Sequence, residues 1–144
     1  MRIALASDHA GFELKQHVKE LLAADGHEVV DLGPETDESI DYPRFARPAA
    51  ELVASGDAER GVLVCGSGVG VSIVANKVPG VRAVNAHDAE EAQLAREHND
   101  VNVVTLSGRR LAGTEADEIV RAFIAGEFEG GRHARRVGLI EDSA

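Results

Sequence analysis

The stretch Gly61-Val62-Leu63-Val64-Cys65-Gly66-Ser67-Gly68-Val69-Gly70 decides how this chain is read. Its first half is a short apolar run without polar alternation, the pattern of a parallel strand buried on both faces. Its second half sets glycines at 66, 68 and 70 and leads into an apolar segment that suits a helix running to about Lys77. A strand that turns through glycines into a helix lets consecutive backbone amides converge on an anion. The same residues would also serve as a plain strand-to-helix turn. No Gly-Lys-Ser/Thr follows, so this is not a nucleotide-triphosphate loop. A dinucleotide loop wants a small residue where Val71 stands, although Asp88 lies where a ribose-binding acid would be. A non-catalytic nucleotide-binding module is therefore an open alternative.

Outward from this stretch, short apolar strands alternate with longer segments of helical period. A strand over 3–6 precedes a helix over 10–24, with Phe12, Leu14, His17, Val18, Leu21 and Leu22 on one side and Gly26 as its stop. A strand over 27–32, an acidic loop over 33–43 and a helix over 42–55 lead to the strand at 61–65. Beyond the glycines come a strand over 81–84, a helix from an Asp88 cap to about His98, and a strand over 101–106. A helix over 114–125, capped by Thr114, and a basic helical tail from Arg132 complete the chain. No repeat or linker divides it, so residues 1–144 read as one domain. Strands interleaved with helices imply an α/β fold: a doubly wound five-stranded parallel sheet, Rossmann-like, in the flavodoxin order 2-1-3-4-5.

In that order the first and third strands are neighbours at a topological switch point, where ligands bind outside the carboxyl ends of strands. The residues there are Ser7-Asp8-His9 and Cys65 to Gly70. Cys65 is the sole cysteine. A buried cysteine is commonly a small hydrophobe, but this one ends a strand facing a helix N-terminus, a setting that favours the thiolate. Asp8 could cap the first helix and His9 could be a turn residue; their position opposite the glycines favours a site role. His98-Asn99-Asp100 closes a helix, where the dipole favours a cationic ring. Arg109, Arg132 and Arg136 are the cations able to hold a phosphate, and 132 and 136 share one helical face. No His, Cys or carboxylate group has metal-ligand spacing, so no metal is expected.

Composition narrows the partners. The 144 residues carry a formal net charge of -10 and are 44% hydrophobic, with no Trp, four Phe and one Tyr. Such acidity disfavours nucleic acid, and an anionic substrate needs a local cationic site. A lone cysteine suits a reducing compartment, and no apolar run reaches the roughly 18 residues of a membrane span. The expectation is a cytoplasmic protein that binds neither nucleic acid nor membrane.

Taken together, the segments Ser7-Asp8-His9-Ala10-Gly11-Phe12, Asp41-Tyr42-Pro43, Cys65 to Gly70, Ala75-Asn76-Lys77, Gly80-Val81-Arg82-Ala83, His98-Asn99-Asp100, and Gly131-Arg132-His133 with Arg136-Val137 resemble the type B ribose-5-phosphate isomerase family, which includes galactose-6-phosphate isomerase subunits. They follow the family's order from residue 3 to about 140. The resemblance implies an aldose–ketose isomerase without cofactor, acting on a small phosphorylated sugar. Ribose 5-phosphate is the first expectation, with tetrose 4-phosphate and allose or galactose 6-phosphate as alternatives. It implies Cys65 as the base moving a proton between carbons 1 and 2, and the amides of Gly66, Ser67, Gly68, Val69 and Gly70 as the enediolate cradle. His98 resembles the acid that opens the sugar ring, with Asn99 beside it. Asp8, His9 and Tyr42 resemble substrate contacts, and Arg109, Arg132 and Arg136 a phosphate clamp. A branch of the family replaces the cysteine by a glutamate just after the glycine loop; Val71 places this chain in the cysteine branch. Family members are homodimers or dimers of dimers, with His98 and Asn99 reaching into the partner's site.

Overall fold

A computed structural model of the chain describes residues 1–142. Among them, five strands and six helices alternate: β1 Arg2–Ser7, α1 Phe12–Ala24, β2 Glu28–Asp31, α2 Pro43–Ser55, β3 Arg60–Cys65, α3 Val69–Asn76, β4 Ala83–Asn85, α4 Ala89–Asn99, β5 Val103–Ser107, α5 Gly113–Ala125 and α6 Arg132–Asp142. All strand pairings are parallel. The doubly wound five-stranded α/β class is as read from the sequence, and so is the helical tail.

The order of the last two strands is not. The sheet runs β2-β1-β3-β5-β4, so β5 takes the inner place and β4 the edge. Burial explains the exchange. Every residue of β5 is buried, whereas β4 has three half-buried residues. A strand apolar on both sides belongs inside the sheet.

Right-handed crossovers then fix the helix layers. The steps β2 to β3 and β3 to β4 go one way across the sheet, and the steps β1 to β2 and β4 to β5 go the other. Accordingly α2 and α3 cover one face, where Ala46, Ala49, Ala50, Val71 and Val74 pack on Ala4, Ala6, Leu63 and Cys65. On the other face α1, α4 and α5 set Leu14, Val18, Ala92, Ile119 and Phe123 against Ile3, Leu5, Val62, Val64 and Leu106. Burying each larger aliphatic side chain contributes roughly 1.5–3 kcal/mol, which stabilises the sandwich.

Of two helix caps read from the sequence, one is observed and one is not. Asp88 caps α4 as expected, accepting from the Glu91 amide at 2.8 Å. Thr114, by contrast, lies inside α5; the Glu115 carboxylate instead accepts from the amide of Ala112, the N-cap, at 2.9 Å. The tail helix α6 docks beside α4, tied by an ion pair between Glu141 and Arg82. Arg82 also donates to the Asp100 carbonyl at 2.8 Å. Among the described residues no helix is long and apolar enough to cross a membrane.

Candidate active site

The carboxyl ends of β1, β3 and β5 lie side by side and build one site around Cys65. The residue is 4% exposed, and the Gly68 amide donates to its Sγ at 3.2 Å. That bond, with the N-terminus of α3 immediately beyond, places donors where negative charge on sulfur would sit. Ser67 Oγ accepts from the Val69 amide at 3.1 Å, closing the turn.

The loop is held from the β5 side. Thr105 Oγ1 donates to the Gly68 carbonyl at 2.8 Å and Ser107 Oγ to the Gly66 carbonyl at 2.6 Å. The amides of Gly108 and Arg109 donate to the Cys65 and Gly66 carbonyls at 2.8 and 3.2 Å. Asn85, at the end of β4, donates through Nδ2 to the Ser67 carbonyl at 3.2 Å. These bonds engage the carbonyls of residues 65–68 from the β5 side, while the Gly68 and Val69 amides turn to Cys65 Sγ and Ser67 Oγ within the loop. Gly68 has φ +78, and a Cβ there would lie 2.2 Å from Asn85 Oδ1.

Arg109 reaches this cradle: its guanidinium carbon would be 3.0 Å from a Cβ on Gly66. The Tyr42 ring packs over Gly70, where a Cβ would meet it at 2.8 Å. Asp8 is buried, its amide donating to the Val64 carbonyl at 3.1 Å and its Oδ1 accepting from Gly11 at 2.9 Å. This turn delays α1 to Phe12 and sets His9 at the mouth of the site. His9 Nδ1 accepts from the Ile40 amide at 3.2 Å.

The residues 98, 99, 132 and 136 stand elsewhere in the chain. Helix α4 leaves the carboxyl end of β4 and returns to the start of β5, so His98 and Asn99 lie at the opposite end of the sheet from Cys65. There His98 stacks on His133 with ring centroids 4.4 Å apart and planes 9° from parallel. Glu129 approaches both rings, at 3.8 Å from His98 Nε2 and 3.6 Å from His133 Nε2. His133 is held below the ordinary histidine range by its burial, with Arg132 and His98 adding to the effect. Arg132 and Arg136 are exposed on α6 next to this pair. The one chain thus gathers Asp8, His9, Tyr42, Cys65, the glycine loop and Arg109, and keeps His98, Asn99, Arg132 and Arg136 apart from them.

Sequence reasoning passed over Asn85, Thr105, Ser107 and the pair His133 and Glu129. Ser107-Gly108-Arg109 had a visible signal, since it leaves a strand with polar and glycine residues as Ser7 to Gly11 does. His98, Glu129 and His133 have the composition of a divalent-metal site, with ligand atoms within 4.8 Å of one another. Near-parallel stacking, however, sends the ring lone pairs side by side instead of onto one point, and Arg132 adds positive charge.

This geometry has known counterparts. The ribose/galactose isomerase family matches residues 3–140. The chain belongs to that family of sugar-phosphate isomerases. Ribose-5-phosphate isomerase B of Escherichia coli is 46% identical over 96% of this chain and 93% of its own length. The structure of the Clostridium thermocellum ribose-5-phosphate isomerase B superposes with a TM-score of 0.98 at 45% identity, covering 99% of this chain and 97% of that one. The Mycoplasma genitalium enzyme, solved with bound ribulose-5-phosphate, gives 0.94 at 44% identity over 99% of this chain and 95% of its own.

Proposed function

We propose that this isomerase interconverts ribose 5-phosphate and ribulose 5-phosphate by proton transfer through an enediolate, with Cys65 as the base. The observation that carries the reading is Cys65 Sγ, held at 3.2 Å by the Gly68 amide beside the glycine loop at the switch point. The similarity to ribose-5-phosphate isomerases over the whole chain supports the choice of sugar.

Ring opening comes first: His98 as acid gives a proton to the ring oxygen while the C1 hydroxyl gives its proton to solvent water, the bond from C1 to the ring oxygen breaks and C1 becomes an aldehyde. The Cys65 thiolate then takes the proton from C2, and the carbonyl electrons move onto O1. The loop amides face the resulting enediolate; one preorganised donor of this kind is typically worth ~3–4 kcal/mol in the transition state. The O2 hydroxyl proton passes to O1, the thiol returns its proton to C1, and the ketose is complete. Asp8, His9 and Tyr42 orient the sugar, Asn99 accompanies His98, and Arg109, Arg132 and Arg136 hold the phosphate. No cofactor enters.

Because His98, Asn99, Arg132 and Arg136 sit at the far end of the sheet, the reading includes a homodimer in which a second copy brings these residues to Cys65. The site is incomplete without it.

The experiment is aldose–ketose conversion of pentose, tetrose and hexose phosphates by the full chain, with ribose 5-phosphate expected to give the highest kcat/KM. Cys65→Ala and His98→Ala should each lose nearly all activity. Mixed and re-associated one to one, they should recover about a quarter of it, since half the dimers are mixed and each holds one intact site. Full activity in Cys65→Ala removes the base. No recovery on mixing removes the shared site, and no conversion of any sugar phosphate removes the reading.

A further inference from the structure

The loop between β2 and α2 is pinned at both ends. At its start the Ser7 amide donates to the Gly33 carbonyl at 3.1 Å. Lys15, wholly buried, donates to the Pro34 carbonyl at 2.6 Å and to Asp31 Oδ1 at 2.9 Å. At its end the Arg44 amide donates to the Asp41 carbonyl at 3.2 Å, and the Tyr42 ring rests against Gly70. Between these anchors residues 35–39 are exposed, and the chain then turns inward so that the half-buried Ile40 gives its amide to His9 Nδ1.

That last bond has only one polarity. A backbone N–H can only donate, so Nδ1 accepts and the proton of the ring sits on Nε2. The backbone of His9 is fixed on either side as well, by Asp8 to Val64 and Gly11, and by the Phe12 amide donating to the His9 carbonyl at 3.4 Å. A ring flip would put a carbon where Nδ1 now accepts and leave the Ile40 amide without that partner.

We propose that the loop 33–42 is a positioning strap for His9: the Ile40 amide locks the ring in the Nε2–H tautomer, so that His9 acts as a hydrogen-bond donor to a hydroxyl or phosphate oxygen of the sugar phosphate. Ile40 acts through His9 and touches no substrate. Its amide does the work, whatever its side chain. The strap also couples the two halves of the cradle, since two residues beyond Ile40 the Tyr42 ring covers Gly70. The kinetic consequence rests on the proposed aldose–ketose reading; the tautomer does not.

The test uses the full chain with 15N-labelled imidazoles. The His9 nitrogens should report the Nε2–H form in wild type and in Ile40→Val, which keeps the amide. Ile40→Pro deletes the donor and should give mixed tautomers, with kcat/KM for ribose 5-phosphate down about tenfold or more. Should Ile40→Pro fail to fold, His9→Ala supplies the reciprocal measurement: exchange of the Ile40 amide should quicken about tenfold or more. An Nδ1–H ring in wild type, an unchanged tautomer in folded Ile40→Pro, or unchanged Ile40 exchange in His9→Ala overturns the strap. If the chain converts no sugar phosphate, the reaction assignment fails while the nitrogen shifts and exchange rates still decide the strap.

Discussion

Replacing Gly68 by alanine tests whether the glycine loop is held as tightly as its contacts imply. The residue has φ +78, which costs an L-residue roughly 1–2 kcal/mol. The added Cβ would stand 2.2 Å from Asn85 Oδ1 and 3.0 Å from the Leu106 carbonyl carbon. Asn85 can rotate away, losing its bond to Ser67 at about 1 kcal/mol. Leu106 cannot retreat, because it belongs to an inner strand. The loop must therefore lift, straining the buried Thr105 bond to the Gly68 carbonyl for about 1 kcal/mol more. The sum is about 3–4 kcal/mol. Gly26→Ala separates the contributions: φ is +87 there and nothing lies within 4 Å of the new Cβ, so only the backbone cost of about 1–2 kcal/mol applies. Urea unfolding of both variants, read as midpoint shifts at constant slope, gives the comparison. In Gly68→Ala kcat/KM should fall about a hundredfold, because the amides leave the reacting oxygens. Equal stability losses in the two variants, with activity kept in Gly68→Ala, would refute the reasoning.

Other consequences can be checked alongside. Asp31→Ala leaves the buried Lys15 ammonium without its carboxylate and should cost about 3–5 kcal/mol in urea, more than Lys15→Met at about 1–3 kcal/mol; the reverse order would contradict the burial argument. Thermal stability should fall with acid in two stages of the same sign. His133, lowered by burial, Arg132 and His98, contributes stability that is present above about pH 6.5 and is lost as pH drops toward its depressed folded value, so His133→Asn should flatten that stage. Burial works against ionised Asp31, but Lys15, Lys19 and the Gly33 amide outweigh it, so its contribution holds above about pH 4 and is lost below; a melting temperature rising from pH 7 to 5 would contradict the His133 sign, and one rising from about pH 4 downward the Asp31 sign. Arg132→Ala with Arg136→Ala should raise KM for phosphorylated sugars roughly a hundredfold without moving the urea midpoint, since both side chains are exposed; an unchanged KM removes them from the clamp.

The strand at 60–65 and its glycines were legible because a doubly buried strand and a tight exit impose their own composition. The placing of 81–85 was less so. Handedness decides which face a crossover helix covers, but not how many strands the crossover skips. Arg82 within a short run was the available sign of an edge strand, set against the uncharged, β-branched-rich run Val103-Val104-Thr105-Leu106. Lys15 was illegible for another reason. It sits between Leu14 and Val18, and only the folded loop reveals that its ammonium is wholly buried with Asp31 and Pro34 as partners. The stack of His98 on His133 joins residues far apart in the chain, which periodicity cannot bring together.

The exchanged strands bear directly on the chemistry. In the order 2-1-3-4-5, β4 would part β5 from β3, and Thr105, Ser107 and Arg109 would stand a strand away from the glycine loop. With β5 inside, β3 has on each side a strand whose following helix goes to the opposite face, α1 after β1 and α5 after β5. The exit of β3, which leads to α3 on the other face, therefore opens into a crevice bounded by both neighbours. Asp8 and His9 line one side, Ser107 and Arg109 the other, and Cys65 lies between. The same topology places the second group of residues out of reach. Helix α4 has 11 residues, about 16 Å of axial rise, all of it carrying His98 away from that crevice. α5 likewise returns the chain to the far end before α6 begins. No rotamer of one chain closes such a gap; in the proposed homodimer, a twofold axis that sets the far end of one copy on the crevice of another would close it twice.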